Sequence, residues 1–455
     1  MRIAVKELEL SGPLQMPADL QAYDGLRLYC KVRGEIKGRV TIWNPYKPLW
    51  KQKDFLYPAD FGSWLMLSQA FFNSTLAPNQ SLIKGLLCAM ADIQAENLDK
   101  AFIAQPLVLP SLTASIVLPT KDRPKELAQA LERLVKHQTG VLHEIIVVDN
   151  HPASRLTKPV VEQFAGVRYI EESRPGTGYA RNAGILATRG DIMVTTDDDI
   201  RVGEGWLDNL IAPFADPEIA SVMGLVLPYQ LNNSAQFIFE ELKRADRFRY
   251  EERRFGRAFF EQADFPEMGK CGNTSCAAFR IEVFADPQIG PFEVALGAGT
   301  PAHGSEDIYL FYRLLAAGKT HLYLPKARAY HVHRATMSSL RRQLSGHETG
   351  YVAMLLLARL RHQDRRVNLT MAINLFRYQL RQARLELSGN GNKIVPARLS
   401  LARIWGMLSG PYQLWRSLAL PRKYGTYQAA QVAKYLAQRQ TILDHTEAEL
   451  QKVLL

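Results

Sequence analysis

Ile192-Met193-Val194-Thr195-Thr196-Asp197-Asp198-Asp199-Ile200 is a short apolar, β-branched run that ends, without an intervening turn, in three consecutive carboxylates. Val, Ile and Thr favour a buried strand, and polar residues that follow the carboxyl end of a strand in an open α/β sheet face the crevice where ligands bind. Three adjacent aspartates repel one another, so the cluster is costly unless something positive neutralises it. A divalent cation is the natural candidate. Hard oxygen ligands select magnesium or manganese, which complete their shells with substrate phosphate oxygens and water. The competing reading of the same residues is an acidic surface turn.

Working outward, β-rich runs alternate with helical segments, the pattern of a largely parallel sheet built from βαβ units. Strands are expected at residues 115–119, 144–149, 167–171, 192–196 and 220–227. Between the first two, Leu127, Leu131, Leu134 and Val135 recur at helical spacing, with Asp122 as a candidate N-cap and Pro124 in the first turn. Three more strand tips carry chemistry. Pro119-Thr120-Lys121-Asp122-Arg123-Pro124 closes the first strand and Val148-Asp149-Asn150 the second, so Asp149 can accept hydrogen bonds from a ribose or base while Thr120 and Arg123 contact the base. Turn and cap chemistry is the alternative for both. Arg174-Pro175-Gly176-Thr177-Gly178-Tyr179-Ala180-Arg181-Asn182-Ala183-Gly184 follows the third strand, and a helix N-terminus there, with Arg174 or Arg181, suits an anionic diphosphate.

Further on, Gly304-Ser305-Glu306-Asp307 opens a helical run. Acidic residues suit a helix's first turn, but a carboxylate at this mouth can also take the proton of an attacking hydroxyl. Tyr330-His331-Val332-His333-Arg334 sets two histidines on one side of an extended segment, and imidazole beside a carboxylate cluster is a reasonable further metal ligand.

The flanks differ in character. Residues 1–110 read as a separate α+β accessory unit, with hairpin-like alternation through Leu26, Leu28, Cys30 and Val32 resuming at Val40 and Ile42, and a helical stretch over residues 64–90. Residues 111–335 form the expected catalytic domain, and residues 336–455 a basic helical region. The net charge of +11 is concentrated there: from Arg341 onward 18 Lys and Arg face 6 Asp and Glu. Arg interleaved with Trp and Leu suits an anionic membrane surface, with a solvated helical bundle as the alternative. Nucleic acid is not expected, because no groove-reading or RNA-binding motif accompanies the charge. Four scattered cysteines give no disulfide framework or zinc site, and Met1-Arg2-Ile3-Ala4-Val5-Lys6-Glu7 lacks the apolar run of a signal peptide. A cytoplasmic location, extending to the inner face of the cytoplasmic membrane, is the expectation.

In this order, from Ala114 to Arg334, the motifs resemble the family-two glycosyltransferases; Phe279-Arg280 and Gly299-Thr300 also fall in the series. The resemblance implies a GT-A (Rossmann-like nucleotide-diphospho-sugar transferase) fold, a nucleoside-diphosphate-sugar donor, a UDP-sugar in the first instance, and inversion at the anomeric carbon. It implies that Asp197 to Asp199 are the DxD-type motif, with Asp197 and Asp198 toward the donor and Asp199, Asp197 and His331 toward Mn2+ or Mg2+; His333 is the alternative ligand. Asp307 is then the general base with Glu306 beside it. Pro119, Thr120, Arg123 and Asp149 hold the nucleoside, Arg174 and Arg181 lie near the diphosphate, and Asn273 meets a saccharide or lipid-linked acceptor. Polysaccharide or glycolipid synthesis fits such an enzyme. Two other classes compete. A nucleotidyltransferase usually carries a glycine-rich loop after its first strand, which Pro119 to Pro124 lacks, and an inactive scaffold would be expected to lose the carboxylates that are all present here.

Overall fold

The computed structural model describes residues 2–44 except 12, 13 and 16, residues 107–388 except 137, 138 and 244–249, and residues 396–439, with a few isolated positions between 44 and 107. The helical stretch expected over residues 64–90 therefore falls almost wholly outside the described residues.

The chain opens with β1 (Ile3–Glu9), β2 (Gly25–Val32) and β3 (Glu35–Trp43). β2 and β3 form the expected antiparallel hairpin, and β1, which no sequence signal announced, joins β2 in parallel. There follow β4 (Ala114–Thr120), α1 (Pro124–Leu134), β5 (Leu142–Asp149), β6 (Val167–Glu171), α2 (Thr177–Ile185), β7 (Ile192–Thr196), β8 (Ile200–Val202), α3 (Trp206–Ile211) and β9 (Ile219–Pro228). Then come α4 (Ser234–Lys243), β10 (Arg253–Phe255), β11 (Cys276–Arg280), α5 (Glu306–Ala316) and β12 (Thr320–His331). α6 (Met337–Arg361), α7 (Leu369–Leu387) and α8 (Ala397–Ser417) form the helical region.

The large sheet runs β10-β12-β9-β11-β7-β4-β5-β6, with β8 paired to β12. β4 is parallel to both β5 and β7. The chain winds outward from β4 through β5 to β6 and then returns to β4's other side as β7, which makes the gap beyond β4 and β7 the topological switch point where ligands of such sheets bind. Alternation along β4 explains why helices cover both faces. Ile116 and Leu118 pack with Leu127 and Leu131 of α1 and Trp206 of α3, whereas Val117 packs with Ala180 and Ile185 of α2. Gly184 makes the second contact possible: a Cβ there would sit 2.2 Å from Val117 Cγ1.

Asp122 is not the N-cap of α1. That position is Arg123, without a side-chain cap; Asp122 has φ 53° and its carboxylate meets His151 Nδ1 at 2.9 Å. Pro124 does begin the helix. The small N-terminal sheet is fastened to the large one through Ile3 N donating to Leu231 O at 2.8 Å, the buried Arg27–Glu241 pair and the edge-to-face rings of Trp43 and Phe237. At the other end, residues 425–439 strap across α2. Tyr179 Oη donates to Gly425 O at 2.7 Å and Tyr435 Oη to Thr188 O at 2.9 Å. No helix of the described residues is long and apolar enough to cross a membrane.

Candidate active site

Because β4 and β7 are adjacent and parallel, their tips arrive together. Thr120 Oγ1, at the end of β4, donates to Asp198 Oδ2 at 2.8 Å, and Arg123 bonds Asp198 and also Asp199 Oδ2 at 3.0 Å. From α2, Arg181 reaches Asp197 Oδ1 at 2.9 Å and pairs with Glu306, the first residue of α5, which also accepts from Thr177 Oγ1 at 2.9 Å. The aspartates are thus held by two guanidiniums, not left to a metal alone as the sequence argument supposed. Charge still does not balance. Asp197, Asp198, Asp199, Glu306 and Asp307 face one cavity of about 2490 Å³, and Arg123 and Arg181 are the arginines that pair with them.

Burial dominates the shifts of the carboxyl pKa values, and neighbouring charges modify it. Burial, opposed by Arg123 and assisted by Asp199, pushes Asp198 up to about 7. Asp197 is raised by burial against the pull of Arg181. Asp307 is also pushed up to about 7, by burial and then by neighbouring Glu306, with Arg181 opposing. Asp199 moves the other way: burial would raise it, but His331 and Arg123 outweigh burial and hold it well below the usual carboxylate range.

His331, the last residue of β12, places Nε2 3.4 Å from Asp199 Oδ1. Its ring is set from behind. Glu240 of α4 only accepts, so His333 Nε2, 2.9 Å from Glu240 Oε2, carries a hydrogen; the Nδ1 of a neutral His333 then accepts from His331 Nδ1 at 2.8 Å. That leaves His331 Nε2 turned to Asp199, where a proton makes an ion pair and a divalent cation can take the proton's place. Among the described residues no group of three or more metal-capable side chains converges. A carboxylate and an imidazole with an open side toward the cavity nevertheless suit a hard cation that keeps substrate oxygens and water as its other ligands. His333 is buried behind His331 and serves as its partner, not as the alternative ligand.

The loop that leads into Glu306 and Asp307 is held in an unusual backbone. His303 (φ 66°) and Ser305 (φ 68°) are both left-handed, and non-glycine residues keep such conformations only where the surroundings over-determine them. Here the surroundings are α6: a Cβ on Gly350 would stand 2.7 Å from Gly304 C, and one on Gly346 3.2 Å from His303 Cβ.

The remaining expected site residues divide between the cavity and the surrounding protein. Pro119, Thr120, Arg123, Arg181 and Asn273 line the cavity. Asp149 does not: it is fully buried, accepting from Tyr169 Oη at 2.9 Å and His151 N at 3.0 Å, and the next residue, Asn150, reaches the cavity. Arg174 is turned away from the cavity, bonded to Glu172 at 2.6 Å and stacked between the rings of Tyr179 and Tyr427. The glycine-rich turn is also less open than its sequence suggests, because Gly176 N donates to Asn150 Oδ1 and Thr177 N to Ala298 O. Asn273 Oδ1 accepts from Ser275 N at 3.0 Å, so its side chain builds the turn it sits in. Glu240 and the N-terminal sheet carried no sequence signal for the site, yet Tyr29, Lys37 and Arg39 form part of the cavity wall.

Residues 115–285 match the sequence profile of Glycosyl transferase family 2. A pre-mycofactocin glycosyltransferase of Mycobacterium tuberculosis is 25% identical over 230 residues, 49% of this chain and 43% of that protein. The chain thus spans less than half the length of this curated relative. Among solved structures, the mannosyltransferase PcManGT from Pyrobaculum calidifontis in complex with GDP-Man and Mn2+ aligns at TM-score 0.41 and 16% identity, covering 76% of this chain and 84% of that one. GalNAc-T7 with UDP, GalNAc and Mn2+ aligns at TM-score 0.37 and 16% identity over 55% and 52% of the two chains. The profile match spans β4 to β11, the strands and loops that bring Thr120, Arg123, Arg181 and the three aspartates together, and residues 115–285 are therefore a glycosyltransferase family 2 domain of GT-A fold.

Proposed function

We propose that the protein is an inverting glycosyltransferase that moves a sugar from a nucleoside-diphosphate-sugar to a hydroxyl of a saccharide or lipid-linked acceptor, in cell-surface polysaccharide or glycolipid synthesis. The observation that carries this reading is the convergence on one cavity of Asp307, pushed up to about 7, with the Asp199–His331 pair and the Arg123- and Arg181-bound aspartates. A base poised near neutral pH is what deprotonating a sugar or lipid hydroxyl needs.

In this scheme Thr120 and Arg123 hold Asp198 and Asp199 toward the donor, and Arg181 fixes Asp197 and Glu306 on either side of the reaction centre. Asp199 and His331 would hold Mn2+ or Mg2+, which when bound supplies Lewis-acid stabilisation of the departing diphosphate. Asp307 takes the acceptor's hydroxyl proton. The acceptor oxygen bonds to the anomeric carbon as the bond to the diphosphate oxygen breaks, the electron pair leaves on the nucleoside diphosphate, and one displacement inverts the centre. A UDP-sugar is the first donor to try. An anionic membrane surface, reached from the cytoplasmic side, would present a lipid-linked acceptor.

The test is nucleotide release from UDP-, GDP- and dTDP-sugars with Mn2+ or Mg2+, run beside Asp199→Ala and Asp307→Asn, with the product anomer read by NMR. Cation-dependent release from one donor, lost in both variants, with an inverted product, is expected. No release from any donor, together with no cation-dependent nucleotide binding by calorimetry, would leave an inactive scaffold.

A further inference from the structure

α8 (Ala397–Ser417) has two unlike faces. Gly406 and Gly410 lie against α6, where a Cβ on Gly406 would stand 2.2 Å from Ser345 O and one on Gly410 2.7 Å from Val352 Cβ, so the helices pack backbone to backbone on that side. On the other side Leu401, Trp405, Leu408, Tyr412 and Trp415 recur at i, i+4, i+7, i+11 and i+14, one continuous stripe, and each is between 52% and 70% exposed. Large aromatic and aliphatic side chains in such a row are costly to leave in water, and an exposed stripe of this kind marks an interaction surface.

Charge says what kind of surface covers it. Residues 387–443 contain eight Lys and Arg and no Asp or Glu. Arg398 and Arg416 are exposed and project beside the stripe near its two ends, and Arg422 and Lys423 follow directly in the next short helix; none of the four is ion-paired among the described residues. Tyr412 stacks on Trp415 with ring centroids 5.9 Å apart, and Arg416 lies over Tyr412. Trp and Tyr prefer the boundary between headgroups and acyl chains, and basic side chains flanking them meet anionic headgroups. We infer that this face of α8 docks the protein on an anionic lipid surface, with Trp405, Tyr412 and Trp415 at the interface and Arg398 and Arg416 on the headgroups. The helix lies in the plane of the interface, and no helix of the described residues is long and apolar enough to cross the bilayer. This rests on the peripheral-membrane part of the reading above, and not on the transfer chemistry.

The experiment is flotation of the full chain with phosphatidylcholine vesicles and with vesicles of phosphatidylcholine mixed with phosphatidylglycerol, followed also by tryptophan fluorescence. The wild type and Asp307→Asn should float equally with the anionic vesicles, with a blue-shifted emission, and stay down with the neutral ones. Trp405→Ser with Trp415→Ser should weaken partitioning on the order of tenfold or more, and Arg398→Glu with Arg416→Glu should do the same. These side chains are exposed, so unchanged circular dichroism is expected and separates lost docking from lost fold. Wild type that stays down with both vesicles, equal flotation with neutral lipid, or an aromatic double variant that floats like wild type would overturn the assignment. So would a stable wild-type dimer that the aromatic variant dissociates without any flotation, because the stripe would then cover a second copy of this chain. Flotation failing while Asp307-dependent transfer persists would sink the docking face alone.

Discussion

Asp307 and His333 are the residues at which the proposed chemistry is most exposed to test. With Asp307 pushed up to about 7, the unprotonated base accumulates as pH rises, so kcat should climb through an acid limb near pH 7. Asp307→Asn should lower kcat by roughly 10²–10⁴-fold and remove that limb. Its effect on stability has the opposite sign. A carboxyl whose folded pKa lies above its unfolded value holds more protons in the native state between about pH 4 and 7, so its stabilising contribution is lost as pH rises through that window. Asp307→Asn, relieved of that loss, should melt roughly 1–3 °C higher at neutral pH in a thermal scan, and a lower melting temperature would contradict the burial argument. His333 acts at one remove, by directing His331 Nε2 to Asp199 through the hydrogen bonds that link Glu240, His333 and His331. His333→Phe should weaken Mn2+ binding in the presence of a nucleoside diphosphate by roughly 10–100-fold, measured by calorimetry or electron paramagnetic resonance, while leaving the nucleotide's own affinity unchanged.

Among the elements, α6 decides how well the loop before Glu306 and Asp307 is held. Gly350 receives Gly304 so closely that a Cβ would meet its carbonyl carbon at 2.7 Å. Gly350→Ala should raise intrinsic helix propensity by about 1 kcal/mol yet shift the loop that carries Glu306 and Asp307. The expected result is a kcat reduced roughly 10–100-fold with nucleotide affinity intact, because small misplacements of a positioned group are costly. Equal losses in binding and turnover would mean that α6 supports the whole cleft and not this loop. The strand tips were legible in the sequence because each β-branched run ends in its own polar residues. For Asp149 the strand's tip could be located, but only packing showed its carboxylate buried and bonded to Tyr169.

For the molecule as a whole, the cleft is shared between units that look independent in the sequence. Tyr29 and Arg39 from the N-terminal sheet stand in the same cavity wall as Asp199 and His331. Arg27 and Glu241 join the two parts through a pair that is nearly solvent-free. Arg27→Leu takes the contacting guanidinium away from a buried carboxylate, so it should destabilise the fold by about 3 kcal/mol in urea unfolding and loosen the N-terminal sheet to limited proteolysis. Arg174 gives the same lesson at the opposite end of the chain. Its neighbours in sequence suggested a phosphate contact, but Glu172 and the distant Tyr427 hold it as a fastening for the C-terminal strap. By itself the sequence determined the alternation of strands and helices, the parallel part of the sheet through β7, β4, β5 and β6 and the clustering of carboxylates at strand ends, because side-chain periodicity and turn chemistry are local properties; that β11 runs antiparallel between β7 and β9 was not legible there. The tertiary structure alone decided which charges neutralise the aspartates, that Glu240 directs His331 through His333, and that α8 turns its aromatic stripe outward. Those outcomes depend on contacts between residues far apart in the chain, and no local pattern encodes them.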